Sequence, residues 1–141
     1  MLYINNMNAN GEKMILDKKL YDNYVKILEN ELVPALGCTE PIAIAYAGAV
    51  ARKTLGNLPE QLDIKVSGNI IKNVKAVIVP TTGDLKGIET SAILGAVGGN
   101  AEKKLEVLVD VTDEDLKITR ELLKKKICHV ELLEGVSNLQ I

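Results

Sequence analysis

The feature that most constrains the fold is the helix predicted over residues 40–55, which is apolar on nearly every side. Its stretch Pro41–Ala51 contains no charged residue and is rich in alanine, with Gly48 inside it. A helix that is hydrophobic all round is stable only when neighbouring elements cover most of its surface. We therefore expect this helix to be buried and closely approached by other elements.

The order of the remaining elements predicts an α+β fold, or mixed α/β, with about five helices and a small sheet. Caps and apolar periodicity predict the helices, and strict alternation predicts the strands. The helices are expected at 17–32, 88–97, 100–108 and from Thr112 onward, and the strands at 62–66 and 128–132. The run 74–79 fits a strand or a buried helix, and residues 134–137 fit a hairpin turn before a return strand at 139–141.

The domain organisation is expected to be simple. Residues 1–13 are rich in Asn and show no period, which predicts a disordered tail, and residues 14–141 are long enough for one core. A return strand of only three residues leaves the hairpin marginal. We therefore expect residues 14–141 to be an incomplete domain.

Charge and composition exclude several classes of function. A net charge of −2, with four tyrosines as the only aromatic residues, excludes an extended basic or base-stacking surface for nucleic acid. The charge-free run is far shorter than a membrane helix of about 20 residues. Two cysteines and one histidine make no complete zinc or iron–sulfur site. The absence of a disulfide framework predicts the cytoplasm.

The candidate reactive group is Cys38, in the turn Pro34–Pro41 that precedes the apolar helix. A thiolate at a helix N-terminus is stabilised by the helix dipole, which predicts a lowered pKa. Thr39 and Glu40 place a hydroxyl and a carboxylate beside it, although both residue types can also cap a helix without any ligand. The pattern leaves open whether Cys38 is a nucleophile or base, or only a small residue in a turn.

Two later loops carry the candidate substrate-binding groups. The loop at residues 67–73 could bind a carboxylate and an amino group. The loop at residues 80–87 contains glycine and precedes a helix, which makes it a natural anion site. Both also fit ordinary capped turns. The predicted substrate-binding residues are Thr39, Glu40, Ser67, Gly68, Asn69, Lys72, Asn73, Thr81, Thr82, Gly83 and Lys86.

Three motifs in this order resemble the N-terminal part of the L-cysteine desulfidase family, which is related to the iron–sulfur L-serine dehydratases. They are Gly37–Pro41, Val66–Asn73 and Pro80–Gly87, and the resemblance extends over nearly everything from Leu16 onward. Thr82 stands where a glycine is expected. The resemblance implies that residues 14–141 are the N-terminal part of a longer catalytic domain.

The resemblance implies a lyase that releases sulfide and ammonia from L-cysteine and leaves pyruvate. It implies a [4Fe–4S] cluster whose ligands lie mostly outside this chain, so that the chain alone is inactive. Cys38 would be the proton acceptor or, alternatively, a cluster ligand. The expected partners are L-cysteine or a similar small amino acid, and a C-terminal half or a second copy. The alternatives are L-serine dehydration and a non-catalytic module that binds an amino acid or a protein.

Overall fold

The computed structural model describes residues 17–141 and divides them into two units, one up to Val33 and one from Pro34 onward. The tail predicted over residues 1–13 lies outside the described residues. The described residues form five α-helices, one 3₁₀ helix and two strands, which confirms the α+β prediction. These are α1 Lys18–Glu31, α2 Thr39–Leu55, β1 Leu62–Ser67, α3 Gly68–Val74, α4 Ile88–Gly98, the 3₁₀ helix Ala101–Glu106, α5 Asp113–Lys125 and β2 Cys128–Leu133.

The first unit holds α1, whose start follows the sequence prediction. Asp17 is its N-cap, and the Lys19 backbone N–H donates to Asp17 Oδ1 (3.4 Å). In the second unit α5 begins in the same way with a full capping box. Thr112 accepts from the Asp115 N–H, and Asp115 accepts from the Thr112 N–H. These reciprocal bonds satisfy two N–H groups that a helix start leaves without partners.

The centre of the second unit is α2, as its apolar surface predicts. One side of α2 packs Ile42, Ala45 and Ala49 into a first cluster of buried residues, which includes Leu94 of α4. Another side packs Ile44 into a second cluster with α4, β1 and α3. A helix that contributes to two clusters needs apolar residues on more than one face, which is what the charge-free run supplies.

Small residues let α2 and α4 cross with their backbones in close contact. A Cβ atom added at Gly95 would lie 2.0 Å from the Ala45 carbonyl oxygen, and one added at Gly48 would lie 2.4 Å from that of Ala92. Neither position can carry a side chain at this separation. The glycines therefore set the distance between the two helices.

The two strands form a parallel pair, in the register Leu62 with Cys128 through Ser67 with Leu133. The side chains of Ile64, Val66, Cys128 and Val130 join the second cluster. On the other face His129 is exposed and Lys65 forms an ion pair with Glu131 (3.2 Å). The sheet thus has one buried and one wet face, as strict alternation predicts.

Two predicted elements do not form. The run 74–79 is neither strand nor helix, because α3 ends at Val74 and a turn lets both Val74 and Val79 reach the core. The predicted return strand 139–141 does not pair with β2. Instead the chain turns at Gly135 (φ +71°) and reaches Ser67, whose backbone N–H donates to Gln140 O (3.0 Å).

Candidate functional site

The candidate site is the N-terminus of α2, where a sharp turn presents Cys38. Gly37 adopts φ +80°, a conformation that a residue with a side chain rarely takes. Cys38 is extended and is the N-cap of α2, and its thiol is exposed. Pro41 follows in the first turn of the helix, where a missing N–H costs nothing. The turn therefore holds the thiol at the positive end of a buried, rigid helix.

Three side chains donate to the carboxylate of Glu40. The Cys38 thiol and the Thr39 hydroxyl both donate to Oε2, each over 3.3 Å. The Asn73 side-chain amide of α3 donates to Oε1, also over 3.3 Å. Glu40 is thus the shared acceptor of two residues of its own turn and one residue of a different helix.

These contacts set opposite pKa shifts in the two neighbouring acids. The pKa of Glu40 is lowered, first by its own backbone N–H and next by the hydrogen bond from Cys38. Partial burial raises the pKa of Cys38, and the hydrogen bond to Glu40 raises it further. The Glu40 backbone N–H acts in the opposite direction but is outweighed. The lowered Cys38 pKa expected from the helix dipole is therefore wrong, because burial of the thiol and its hydrogen bond to Glu40 together raise the pKa.

Residues of all three sequence motifs meet at this turn. Asn73, from the second motif, contacts Glu40 as described. Pro80 opens the third motif, and a Cβ atom added at Gly37 would lie 3.1 Å from its Cγ. Any residue larger than glycine at position 37 would press on Pro80. The three stretches that sequence analysis singled out are thus brought together at the start of α2.

Two predicted substrate-binding residues are instead used by the fold. The Ser67 side chain is buried, and its hydroxyl donates to the Asn138 carbonyl (2.7 Å). The Thr82 side chain is also buried, and its hydroxyl bonds the Val79 carbonyl (2.8 Å) within its own loop. A hydroxyl engaged in this way inside the protein has no free face for a ligand. The structure gives both residues a structural role.

The remaining candidates lie around the turn with different orientations. Asn69 and Lys72 are exposed on α3, and Asn69 lies one helical turn before Asn73, on the same face. Thr81 is strained (φ +69°) and its hydroxyl donates to the Pro80 carbonyl (2.6 Å). Gly68 begins α3 and Gly83 is an exposed loop residue with φ +74°.

Lys86 lines a cavity that does not include Cys38. The cavity has a volume of about 350 Å³, and its other lining residues are Glu89, Thr90, Ile93, Leu123, Lys126 and Cys128. This cavity was missed from the sequence, because its residues come from two stretches, 86–93 and 123–128, that only the tertiary fold brings together. Burial raises the pKa of Cys128 to about 11, with additional effects of Glu89 and Asp63.

We expect alkaline pH to destabilise the protein through Cys128. Its pKa is about 11 in the folded state and 9.0 as a free side chain. Between these values the unfolded chain loses the proton first, so the free energy of unfolding falls as pH rises from 9 to 11. Allowing for partial exposure, the loss is about 1 kcal/mol. Urea unfolding followed by circular dichroism should show it for the wild type and not for Cys128→Ala or Cys128→Ser.

Replacing the carboxylate beside Cys38 should make the thiol more reactive. Glu40→Gln removes the charge and the carboxylate acceptor that raise the Cys38 pKa, so more thiolate is present at pH 8. We expect several-fold faster alkylation of Cys38 by iodoacetamide, measured by peptide mass spectrometry. Glu121→Gln, which changes the net charge equally on α5, is the control. An unchanged rate in Glu40→Gln would show that Glu40 does not act on the thiol.

Neither a metal-ligand cluster nor a membrane-spanning helix is found among residues 17–141. No three His, Cys, Asp or Glu side chains among them are grouped closely enough to hold a metal ion. None of their helices combines the length and apolar character that crossing a membrane requires.

The chain is similar to curated proteins named UPF0597 protein. It is 55% identical to one from Treponema denticola over 91% of its own length and 54% identical to one from Lachnoclostridium phytofermentans over 86%. A third, from Finegoldia magna, is 52% identical over 84%. The chain spans about 30% of the length of these relatives. No family model and no solved structure matches it.

These relatives correct the family assignment made from the motifs. The match to the Treponema denticola protein covers 128 residues, which necessarily includes all three motifs, and the name it carries is UPF0597 protein. The resemblance to the L-cysteine desulfidase family is therefore wrong as an assignment. The motifs are part of a sequence shared with UPF0597 proteins, and they do not single out the desulfidase family.

Proposed function

We propose that the N-terminus of α2 binds a small amino acid, L-cysteine in the first place, and that Cys38 takes its α-proton. The observation that supports this is the convergence of thiol, hydroxyl and amide donors on the Glu40 carboxylate. A partly exposed carboxylate beside a thiol suits a substrate that carries an ammonium group next to an acidic C–H. We assign the activity to a polypeptide of the relatives' length, since this chain matches about 30% of the length of the Treponema denticola protein.

Substrate binding itself would prepare the base. In the free protein the hydrogen bond and the charge of Glu40 both favour the protonated thiol of Cys38. A substrate ammonium group placed against Glu40 compensates that charge, so the Cys38 pKa falls when the site is filled. The exposed thiol releases its proton to bulk water, and the resulting thiolate can then accept the α-proton. Asn73 acts as a positioning residue, because it holds the Glu40 carboxylate from the opposite side.

The proposed reaction is the elimination of sulfide. L-cysteine loses its α-proton to the Cys38 thiolate and its sulfur as HS⁻, which leaves 2-aminoacrylate. This enamine becomes an imine and takes up water to give pyruvate and ammonia. Two free cysteines in the chain suit the reducing cytoplasm as the place where this occurs.

An iron–sulfur cluster stays a prediction for the longer polypeptide. Such a cluster is held by several cysteine ligands. The two cysteines of this chain do not fit it, since Cys38 donates to Glu40 while Cys128 packs in the second cluster of buried residues. We therefore assign no step of the reaction to a cluster.

A module that binds a small amino acid without chemistry is the second candidate. The raised Cys38 pKa favours it, because a thiol that keeps its proton is a poor base. The two candidates make the same prediction for binding and different predictions for turnover. Dehydration of L-serine is a third possibility of the same chemical type, and the same assay compares it.

The test joins this chain to the part of the Treponema denticola relative that it does not match. We expect equal amounts of sulfide and pyruvate from L-cysteine, and less pyruvate from L-serine. Binding by calorimetry without any product would favour the non-catalytic module. If neither L-cysteine nor L-serine binds the joined polypeptide or the isolated chain, the proposal is wrong. An L-alanine titration of ¹³C-labelled Cys38 reports the expected fall in the thiol pKa without a competing substrate thiol.

A further inference from the structure

One edge of strand β1 has backbone N–H groups that pair with no backbone group of residues 17–141. The Leu62 N–H donates to the Ile127 carbonyl (2.8 Å) on the side of β2. Because N–H groups alternate along a strand, those of Asp63, Lys65 and Ser67 point to the opposite edge. Within the described part of the chain only Ser67 of these three meets a backbone acceptor. Among residues 17–141 the N–H groups of Asp63 and Lys65 therefore form an open edge, which is a template for another strand.

A groove runs between this edge and α2, and the residues that line it on the α2 side have small side chains. Its volume is about 200 Å³, and its lining includes Leu62–Lys65 on one side and Ala47, Gly48 and Ala51 of α2 on the other. Ala92 of α4 completes it. The short side chains of α2 leave room for apolar side chains of an added segment. The groove therefore suits an extended chain better than it suits a helix.

Residues at one end of the groove already lie in the direction of an antiparallel strand. The Gln140 carbonyl accepts from Ser67, at the C-terminal end of β1, and Ile141 enters the groove beside Leu62–Lys65. The direction from Gln140 to Ile141 is thus opposite to that of β1. A strand that occupied the rest of the groove in this direction would continue the same pairing.

We propose that this groove receives an extended segment, antiparallel to β1, from the part of a UPF0597-type polypeptide that this chain does not match. The segment would carry an apolar side chain at every second position, directed at α2. The chain accounts for about 30% of the length of the relatives, so a large part of their sequence is available to supply it. The wet face of the sheet, with the Lys65–Glu131 ion pair, calls for polar residues at the alternate positions. This inference does not depend on the proposed function.

The test uses the isolated chain and overlapping synthetic 15-residue peptides, which together cover the unmatched part of the Treponema denticola relative. Fluorescence polarisation identifies peptides that bind, and amide hydrogen exchange by NMR locates the contact. We expect one set of overlapping peptides to bind and to slow exchange at Asp63 and Lys65 about tenfold or more. Exchange at the Leu62 N–H, which already has a partner, should change much less.

Two variants of the chain make the test specific. Lys65→Pro removes the N–H at the open edge, a position where proline is tolerated, and should weaken peptide binding at least about tenfold. Lys65→Ala keeps the N–H and loses only the ion pair with Glu131, so it should bind as the wild type does. Ala51→Trp fills the groove from the exposed side of α2 and should also block binding, which covers the case that Lys65→Pro does not fold.

Other outcomes overturn the proposal. If no peptide binds, or if bound peptides leave exchange at Asp63 and Lys65 unchanged, the groove is not a strand-binding site. If these two amides become protected as the concentration of the chain alone is raised, the occupant is a second copy. In that case the assignment to the longer polypeptide is wrong.

Discussion

Gly95→Ala is expected to destabilise the protein by about 3 kcal/mol or more, which lowers the midpoint of thermal unfolding by roughly 10 °C. The new Cβ atom would lie 2.0 Å from the Ala45 carbonyl oxygen and 2.6 Å from its carbonyl carbon. These are backbone atoms of α2 and cannot rotate away, so the two central helices must separate. Separation loosens the clusters on both sides of α2. Urea and thermal unfolding followed by circular dichroism measure the change.

Gly68→Ala is the matched control for this substitution. A Cβ atom added at Gly68 would lie 3.6 Å from Leu132 Cδ1, an ordinary contact, and α3 gains a residue that favours helix. We expect Gly68→Ala to change stability by less than about 1 kcal/mol. If Gly95→Ala proves as stable as Gly68→Ala, the close crossing of α2 and α4 is not as described.

Cys38→Ser should lower turnover of L-cysteine by the joined polypeptide about 10²-fold or more, and Cys38→Ala at least as much. A serine hydroxyl in the same place donates to Glu40 equally well but is far too weak an acid to supply a base. The KM should change little, because Glu40 still binds the ammonium group and Asn73 still holds the Glu40 carboxylate. Initial rates of pyruvate formation over a range of pH are the measurement.

Ser67→Ala tests whether the Ser67 hydroxyl contributes to stability or to turnover. The Ser67 hydroxyl donates to the Asn138 carbonyl inside the protein, so its loss should cost about 1 kcal/mol of stability. Turnover per folded molecule should stay the same, because the hydroxyl has no free face. Should Ser67→Ala reduce turnover as strongly as Cys38→Ser, the placement of the substrate at the start of α2 would be refuted.

Much of the fold could be predicted because local rules and tertiary packing agree. The charge-free run of α2 predicted a central helix, and it ends at Leu55 where Gly56 adopts φ +84°. Thr112 predicted the start of α5, since the cap and the acidic first turn act within the same few residues. These signals are local, so a sequence contains all of the information needed to interpret them.

The errors arise where a tertiary contact, burial or the orientation of a side chain determines the outcome. Spacing also does not reveal that the Ser67 hydroxyl bonds the carbonyl of Asn138, which is distant in sequence. The return strand was expected beside β2, its neighbour in sequence, yet Gln140 lies beside β1. The Cys38 pKa was assigned from the helix dipole alone, whereas burial of the thiol and, next, its hydrogen bond to Glu40 raise it. None of these follows from spacing.

The parallel pairing of β1 and β2 has a consequence for biosynthesis. Leu62 pairs with Cys128, so the whole of α3, α4 and α5 is made between the two strands. At ordinary translation rates the first strand waits ~3 to 12 s for the second, with both of its edges unsatisfied. Contacts so distant in the chain also form slowly. Because this wait is set by synthesis of the residues between the two strands, faster translation of residues 68–127 should shorten the time for which β1 lacks its partner.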